Sequence, residues 1–445
     1  MPWVKSILVC IALLLALQTQ TAQAEGDPLG ADGMAEAIIA MTSRVWTGPR
    51  TPVPDWLERP RSATETLRST RAMLSVHADP SVPHDRIAGA LGALEEARAR
   101  LATLGWPTPV QDGLLGGDAG IDLYMTTSSP AAAYSDGLVP WTYLDRASVF
   151  AVVDPATPTE WLDACVTAAY AEALLLSADP AEARTWRRAT AAWLAWELTG
   201  RFGCEDAVPE QQAEPFRSWI SDASHDGAGG ALFLAYLSAR HSEGSTRFVR
   251  DVWDLARQRT WEGEGLRAEP DLWSAFEVAI EMSGDRLVDN IVDLAVLRWF
   301  IGRTEPAGHA LDAIDRDARV PITKKMTRLP SKVSAAEPLR PFGSAYLAMD
   351  APAWTEAKGL RAWLRGEFGV RWSLVAIQLD SRGTELDRID APSTSITPRA
   401  YLPIELREDT ARVLFVVTQL GSGLPDADEP SSDERAFQLV VDRMD

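Results

Sequence analysis

The chain has 445 residues, 46% hydrophobic and 24% charged, a balance typical of a globular protein of two to three domains. Its 43 basic and 63 acidic residues give a net charge of −20, which argues against binding to nucleic-acid phosphates or to anionic membrane surfaces. We therefore expect no nucleic-acid partner. Five histidines and three cysteines leave little material for a dense metal site.

The first 24 residues have the pattern of a cleaved signal peptide. Lys5 gives a basic start, residues 7–17 form an apolar run, and Ala22-Gln23-Ala24 matches an A-x-A cleavage site. The run is too short for a permanent membrane helix, and we predict no span later in the chain. These features predict a secreted or periplasmic protein that is cleaved after Ala24.

Cleavage removes Cys10 and leaves Cys165 and Cys204 as an even pair in an oxidising compartment. Clear start signals predict two helices, over 158–177 and 180–200, with a connection short enough for an antiparallel hairpin. Antiparallel packing places both cysteines at the same end of the hairpin. We predict a disulfide between Cys165 and Cys204.

The segment 25–118 is predicted to be mainly helical. A proline-rich connector at 49–60 is followed by a capping-box pattern at Ser62–Glu65, which predicts a helix beyond it. Another amphipathic helix, marked by apolar residues from Ile87 to Leu101, is predicted to end at Gly105.

Beyond residue 119 the pattern predicts an α+β domain over 119–302. Residues 120–126 and 147–153 are typical of strands, and the segment between them is typical of a loop. After the cysteine hairpin, apolar stripes predict four more helices, over 230–241, 246–258, 270–283 and 286–301.

The C-terminal part of the chain changes to a period of two residues. Residues 303–340 are irregular and are predicted to be a linker. Six candidate strands in 341–445 predict an antiparallel β-sandwich domain, at 342–349, 360–365, 370–379, 400–406, 411–417 and 436–441.

A search for catalytic motifs is mostly negative. No two histidines stand three or four residues apart, and the chain has no G-x-S-x-G elbow, P-loop or dinucleotide-binding glycine pattern. A glycosidase needs only two carboxylates, so that activity stays open without specific support. We expect no metal and no cofactor.

Three further features receive structural interpretations. The acidic stretch 426–434 contains oxygen ligands that calcium prefers, but it lacks EF-hand spacing, and a solvated loop is the preferred interpretation. His225 is interpreted as a loop or capping residue. The 17 tryptophans are interpreted as core residues on helical stripes rather than as a sugar-binding groove.

From residue 120 onward, the order of segments resembles a zincin-type family of secreted metalloproteases from Gram-negative bacteria. The matching segments are Asp122-Leu-Tyr124, the second strand at 149–154, Val166–Leu174 in the first helix, Arg188–Trp193 in the second helix, Gly230–Leu237, and the end of the chain from Leu414. The resemblance implies a zincin-like domain followed by a β-sandwich. It covers roughly residues 120–445.

The same resemblance implies that the catalytic site is lost. The family's first zinc histidine falls at Tyr170, its catalytic glutamate at Ala171, its second histidine at Leu174, and the glutamate of the next helix at about Arg188. Leucine cannot bind zinc, and alanine cannot act as the general base that activates water.

Three hypotheses follow. The first is a non-catalytic, metalloprotease-like protein that binds a peptide, a partner protein or a surface polymer. The second is an active hydrolase with unconventional ligands: Glu172, Glu197, His225 and His241. The third is an unrelated helical binding protein with a β-domain.

Overall fold

The computed structural model describes residues 55–127, 131–139, 146–204, 207–219, 228–257, 270–303, 311, 318–354, 357–392, 397–423 and 433–444. The predicted signal peptide, His225 and most of the 426–434 loop lie outside the described residues. The described chain contains a run of helices between groups of strands that form mixed or antiparallel sheets, which confirms the α+β class.

The described strands are β1 Glu65–Arg68, β2 Leu74–Ala78, β3 Ile121–Met125, β4 Ala131–Val139, β5 Arg146–Val153, β6 Lys324–Met326, β7 Ser331–Ser334, β8 Ser344–Asp350, β9 Gly359–Gly366, β10 Trp372–Leu379, β11 Glu385–Pro392, β12 Arg399–Glu405, β13 Arg412–Gln419 and β14 Phe437–Met444. The described helices are α1 His84–Thr103, α2 Leu162–Ala178, α3 Arg184–Thr199, α4 Ala207–Ala213, α5 Ala228–Ser242, α6 Arg247–Ala256, α7 Leu272–Met282 and α8 Leu287–Phe300.

The first sheet has the strand order β1-β2-β3-β5-β4. Its three central strands are parallel, and the two edge strands, β1 and β4, run antiparallel to their neighbours. Helix α1 packs on β1 and β2, and helix α2 packs on β4 and β5. Alternation along the strands sends residues such as Leu74, Val76 and Leu123 into the core shared with these helices.

Two predictions for this region are wrong. Residues after the capping-box pattern form β1 and β2 instead of a helix, because Leu74, Val76 and Ala78 alternate with the polar Ser75 and His77. The predicted loop between the two strands contains β4, a nine-residue edge strand with a register shift between Ser135 and Gly137. Alanine-rich sequence hides this strand, since its pairing with β5 and its cover by α2 override a weak local propensity.

The helical hairpin is confirmed, and so is its disulfide. Cys165 in α2 bonds to Cys204 beyond the end of α3, with their Cα atoms 4.5 Å apart. Helix α3 ends at Gly200, whose φ of 79° is the left-handed conformation that closes many helices. The predicted start at residue 180 is four residues early. Glu182, in the turn before the helix, accepts the Leu272 N–H at the start of α7 (2.8 Å).

Two tryptophans of α3, Trp186 and Trp193, confirm their interpretation as core residues, and Trp196 is partly buried against the same core. Trp186 and Trp193 are fully buried, and the Trp186 ring packs edge-on against Trp273 of α7. The four helices predicted after the hairpin correspond to α5, α6, α7 and α8.

Two more sheets form the C-terminal part. The second sheet has the order β11-β10-β13-β8-β6, and the third has the order β12-β9-β14-β7. Side chains from both sheets share one hydrophobic cluster, with Leu374 and Phe415 from the second sheet and Leu364 and Leu439 from the third. Helix α8 covers the other face of the second sheet, which explains why all eight residues of β10 are buried.

The predicted linker is partly strand. Residues 324–326 form β6 beside β8, and residues 331–334 form β7 beside β14. Both strands are only three or four residues long and largely exposed, so they lack the alternating apolar pattern that marks a strand in a sequence.

One described helical segment, Thr159–Ala178, is long and apolar enough by length and composition to cross a membrane, although we predicted no such segment. In the folded protein, 83% of the apolar window of this segment is buried, because the segment contains α2 and lies against the first sheet.

Candidate functional site

A buried carboxylate, Glu172, lies where α2 faces the edge strand β4. One of its oxygens accepts the backbone N–H of Ala133 in β4 at 3.2 Å. The side chain is only 5% exposed. Burial raises the pKa of Glu172, and the positive charges of Arg188, Arg184 and Arg187 oppose that rise. The carboxylate therefore occupies a position between a sheet edge and a group of arginines.

Helix α3 supplies these arginines on one side of its first two turns. Arg188 Nε lies 3.7 Å from Glu172 Oε1, and Arg184 Nε lies 4.0 Å from the same atom. Arg187 is buried and donates to the Glu182 carbonyl and to the Asp55 carboxylate. Residues at i, i+3 and i+4 of a helix share one face, which brings the three guanidinium groups together.

An extended segment before β1 lies beside the edge strand at this point. The Ser135 N–H donates to the Asp55 carbonyl at 2.9 Å, and the Leu57 N–H donates to the Ser135 carbonyl at 3.4 Å. The same segment brings the Asp55 carboxylate to Arg187 and to within 3.7 Å of Arg184. The chain's own N-terminal segment thus fills the free edge of β4 beside the arginines.

The residues singled out by the family resemblance lie on α2 and α3. Tyr170, Ala171 and Leu174 are buried in the apolar core between the helices and the first sheet. Burial raises the pKa of the Tyr170 phenol, and Arg98 of α1 is the charge that acts on it. Arg188 on α3 faces Glu172, which lies two residues after Tyr170 on α2.

The unconventional metal ligands do not converge within the described residues. Glu197 accepts the indole N–H of Trp193 at 3.1 Å. His241 Nε2 lies 3.2 Å from the Asn290 side-chain oxygen, and its ring stacks on Phe248. Among the residues that the structure describes, no three histidine, cysteine or acidic side chains are placed to hold a metal ion.

A second polar cluster covers the opposite face of the first sheet. Arg59 forms ion pairs with three carboxylates: Asp112 (2.8 Å), Asp136 (2.7 Å) and Asp122. Burial and the negative charge of Asp122 raise the pKa of Asp112 to about 7, and the positive charge of Arg59 opposes this rise. The arginine comes from the segment that crosses the sheet, so the cluster fastens this segment to the sheet.

The imidazole of His77 joins this cluster. His77 Nε2 lies 2.8 Å from Asp122, and its Nδ1 lies 3.0 Å from the hydroxyl of Thr66 on β1. The ring stacks on Tyr124 with centroids 4.7 Å apart. Gly116 lies directly over Asp122, where a side chain would collide with the carboxylate. The Asp122 and Tyr124 of the family-like segment thus have a structural role here.

Several of these residues were not predicted. Asp55, Arg184 and Arg187 gave no signal, because an ion pair across more than a hundred residues leaves no local spacing. The signal available for the second cluster was the alternation of Ser75 and His77 with apolar residues, which marks a strand face carrying polar groups.

Comparisons with known proteins give little similarity. No family model matches the chain, and no curated protein matches it. Among solved structures, the enzymatically active domain of tailspike protein 4 from bacteriophage CBA120 is similar with a TM-score of 0.19 and 8% identity. The match covers 27% of this chain and 17% of the tailspike chain, so the chain spans less than a fifth of that protein's length. Similarity this low supports no conclusion about fold or activity.

Proposed function

We propose that this chain is a non-catalytic, zincin-like protein whose role is binding. The observation that carries the proposal is the ion pairing of Glu172 with Arg188 and Arg184 of α3. Guanidinium groups this close to a carboxylate oppose the binding of a divalent cation by charge repulsion. The acid that lies closest to the family's catalytic position is therefore part of a salt-bridge cluster.

The fold elements support the zincin-like part of the proposal. The two strands of the resemblance, β3 and β5, are adjacent and parallel, and the helix that follows them packs on the same sheet. Helix α3 lies against α2, in the order that the resemblance implies. The two C-terminal sheets with a shared core support a β-sandwich as the last domain.

The edge of β4 indicates what the site binds. An unpaired strand edge accepts an extended peptide through main-chain hydrogen bonds, and the three arginines add attraction for an acidic side chain. Asp55 and the segment around it already occupy this position within the chain. We infer that the ligand class is an extended acidic peptide, either this segment itself or one that replaces it.

The disulfide supports export to an oxidising compartment, secreted or periplasmic, after cleavage at Ala24. An active hydrolase with unconventional ligands is the alternative function. An unrelated helical binding protein is less favoured, because a sheet packs directly on α2.

A peptidase assay separates these functions. The chain 25–445 is incubated with zinc and a mixture of quenched fluorescent peptides, and the Glu172→Gln variant serves as the matched control. The proposal expects no cleavage by either protein above the rate without protein. If the wild type cleaves the peptides and the Glu172→Gln variant does not, the protein is an active hydrolase instead.

A further inference from the structure

A cavity of about 310 Å³ lies where the end of α8 meets the second sheet. Its walls come from α8, β8, β13 and the turn between β10 and β11. The charged side chains that line it are Arg303, Arg319, Arg382, Arg412, Asp350 and Asp380. An excess of positive charge in one cavity is unusual for a chain whose net charge is −20.

Arg303 is held in place by groups that do not neutralise it. Its guanidinium lies 3.7 Å from the centre of the Trp299 ring, and it donates to the carbonyl oxygens of Trp299 and Val320. Arg319 donates to the Gly302 carbonyl. Within the described part of the chain, Arg412 is the one of the four arginines that is paired with a carboxylate, 2.6 Å from Asp350.

The arginines are close enough to act on one another. Burial, together with the positive charges of Arg319 and Arg412, lowers the pKa of Arg303 to about 10. Asp380 is occupied by its own turn, because its carboxylate accepts the N–H groups of Arg382 and Thr384 at 2.8 Å. The cavity therefore concentrates like charges that an anion would relieve.

We propose that this cavity binds a small ligand through a tetrahedral oxyanion, a phosphate or a sulfate group. Planar guanidinium groups present several N–H donors in a fork, and they recognise such oxyanions by paired, charge-assisted hydrogen bonds. The rigid placement of Arg303 on Trp299 prepares one such fork before the ligand arrives. The cavity volume is at the lower limit of ligand pockets, which fits a small organic phosphate or sulfate better than a polymer.

The proposal is tested by isothermal titration calorimetry of the chain 25–445 with inorganic phosphate and, separately, inorganic sulfate, each against sodium chloride of equal ionic strength. We expect saturable binding of one anion per chain. Binding should weaken about tenfold in Arg319→Gln, the effect of losing one charge-assisted hydrogen bond. Arg303→Gln should weaken binding at least as much. The control Arg71→Gln changes a side chain that is 83% exposed in the turn between β1 and β2, and it should bind as the wild type does.

Tighter binding of phosphate than of sulfate identifies a phosphorylated ligand, and the reverse order identifies a sulfated one. Circular dichroism establishes that each variant is folded. If Arg303→Gln does not fold, the exposed Arg319→Gln variant decides the result alone. Absence of saturable binding by the folded wild type would overturn the proposal. Equal affinity of the wild type and Arg319→Gln would also overturn it.

Discussion

Arg188 on α3 pairs with Glu172 on α2 across the helical hairpin, with 3.7 Å between Nε and Oε1. This contact joins the two helices that the family resemblance assigns to the catalytic site. It also pairs Glu172, the carboxylate next to the position that the resemblance assigns to the catalytic glutamate, with a positive charge. The pairing links the two helices of the hairpin, and it has consequences for stability that can be measured.

Replacement of Arg188 by Met tests the contact directly. Methionine keeps much of the apolar stem but removes the charge beside a buried carboxylate. We expect the free energy of unfolding at pH 8 to fall by about 1–3 kcal/mol, measured by urea denaturation. Arg71→Met, at an exposed position, is the control and should change stability by less than about 0.5 kcal/mol. An unchanged stability in Arg188→Met would mean that the pair contributes nothing.

The Glu172→Gln variant tests the electrostatics of the same site through pH. Burial raises the pKa of Glu172 above its value in the unfolded chain, so the native state holds the proton more tightly. The contribution of this group to the free energy of unfolding is therefore largest below the pKa of the unfolded chain. It is lost as pH rises through the pKa of the folded protein. Glutamine keeps an oxygen for the Ala133 N–H and does not titrate. We expect the variant to lose less stability than the wild type on going from pH 4 to pH 8.

The matched control for this experiment is Glu408→Gln, a change at an exposed position. It should reproduce the wild-type dependence of the unfolding free energy on pH. A Glu172→Gln profile identical to the wild type would show that the carboxylate is not held in a desolvated position.

The disulfide between Cys165 and Cys204 is expected to stabilise the hairpin, and it lies at the apolar core, where Cys165 is fully buried. It closes a sequence separation of 39 residues, and removal of such a crosslink typically costs about 2–5 kcal/mol. The double variant Cys165→Ala/Cys204→Ala should therefore unfold at a lower urea concentration than the oxidised wild type. Addition of a reductant should lower the wild-type midpoint towards that of the variant and leave the variant unchanged. A reductant-insensitive wild type would contradict this expectation.

Asp112→Asn tests the cluster that fastens the N-terminal segment. The pKa of Asp112 is raised to about 7 by burial, so this group opposes folding increasingly as pH rises from about 4 to about 7. Asparagine keeps one oxygen, which can accept the Leu114 N–H that donates to Asp112 Oδ1 at 3.0 Å, and it removes the charge that pairs with Arg59. We expect the unfolding free energy of the variant minus that of the wild type to be more positive at pH 8 than at pH 4. Chemical denaturation measures both values. The exposed Asp409→Asn is the control, and an equal difference at both pH values would contradict the prediction.

The sequence predicts the helices better than it predicts the strands. Helices α1, α5, α7 and α8 carry continuous apolar stripes, and their ends lie within a few residues of the expected positions. The edge strand β4 and the short β6 and β7 have weak local signals, because partner strands and covering helices determine their conformation.

At the candidate site, too, contacts that follow from local sequence patterns were predictable, and contacts between residues far apart in the sequence were not. The cysteine pair was predictable, since the hairpin geometry follows from two local helix starts. The approach of Asp55 to Arg187 was not, because 132 residues separate them and no motif links them. Arg188 was singled out by the resemblance, and Glu172 was named from the sequence as an unconventional metal ligand. Their pairing with each other, and the contact of Glu172 with β4, became evident only in the structure.

The most direct test of the non-catalytic account is the metal content of the purified chain 25–445, measured by elemental mass spectrometry after mild dialysis against zinc. The account predicts no retained zinc, because arginines lie beside Glu172, the acid next to the position that the resemblance assigns to the catalytic glutamate. Near-stoichiometric zinc, lost in the Glu172→Gln variant, would contradict it and would place a metal at this carboxylate.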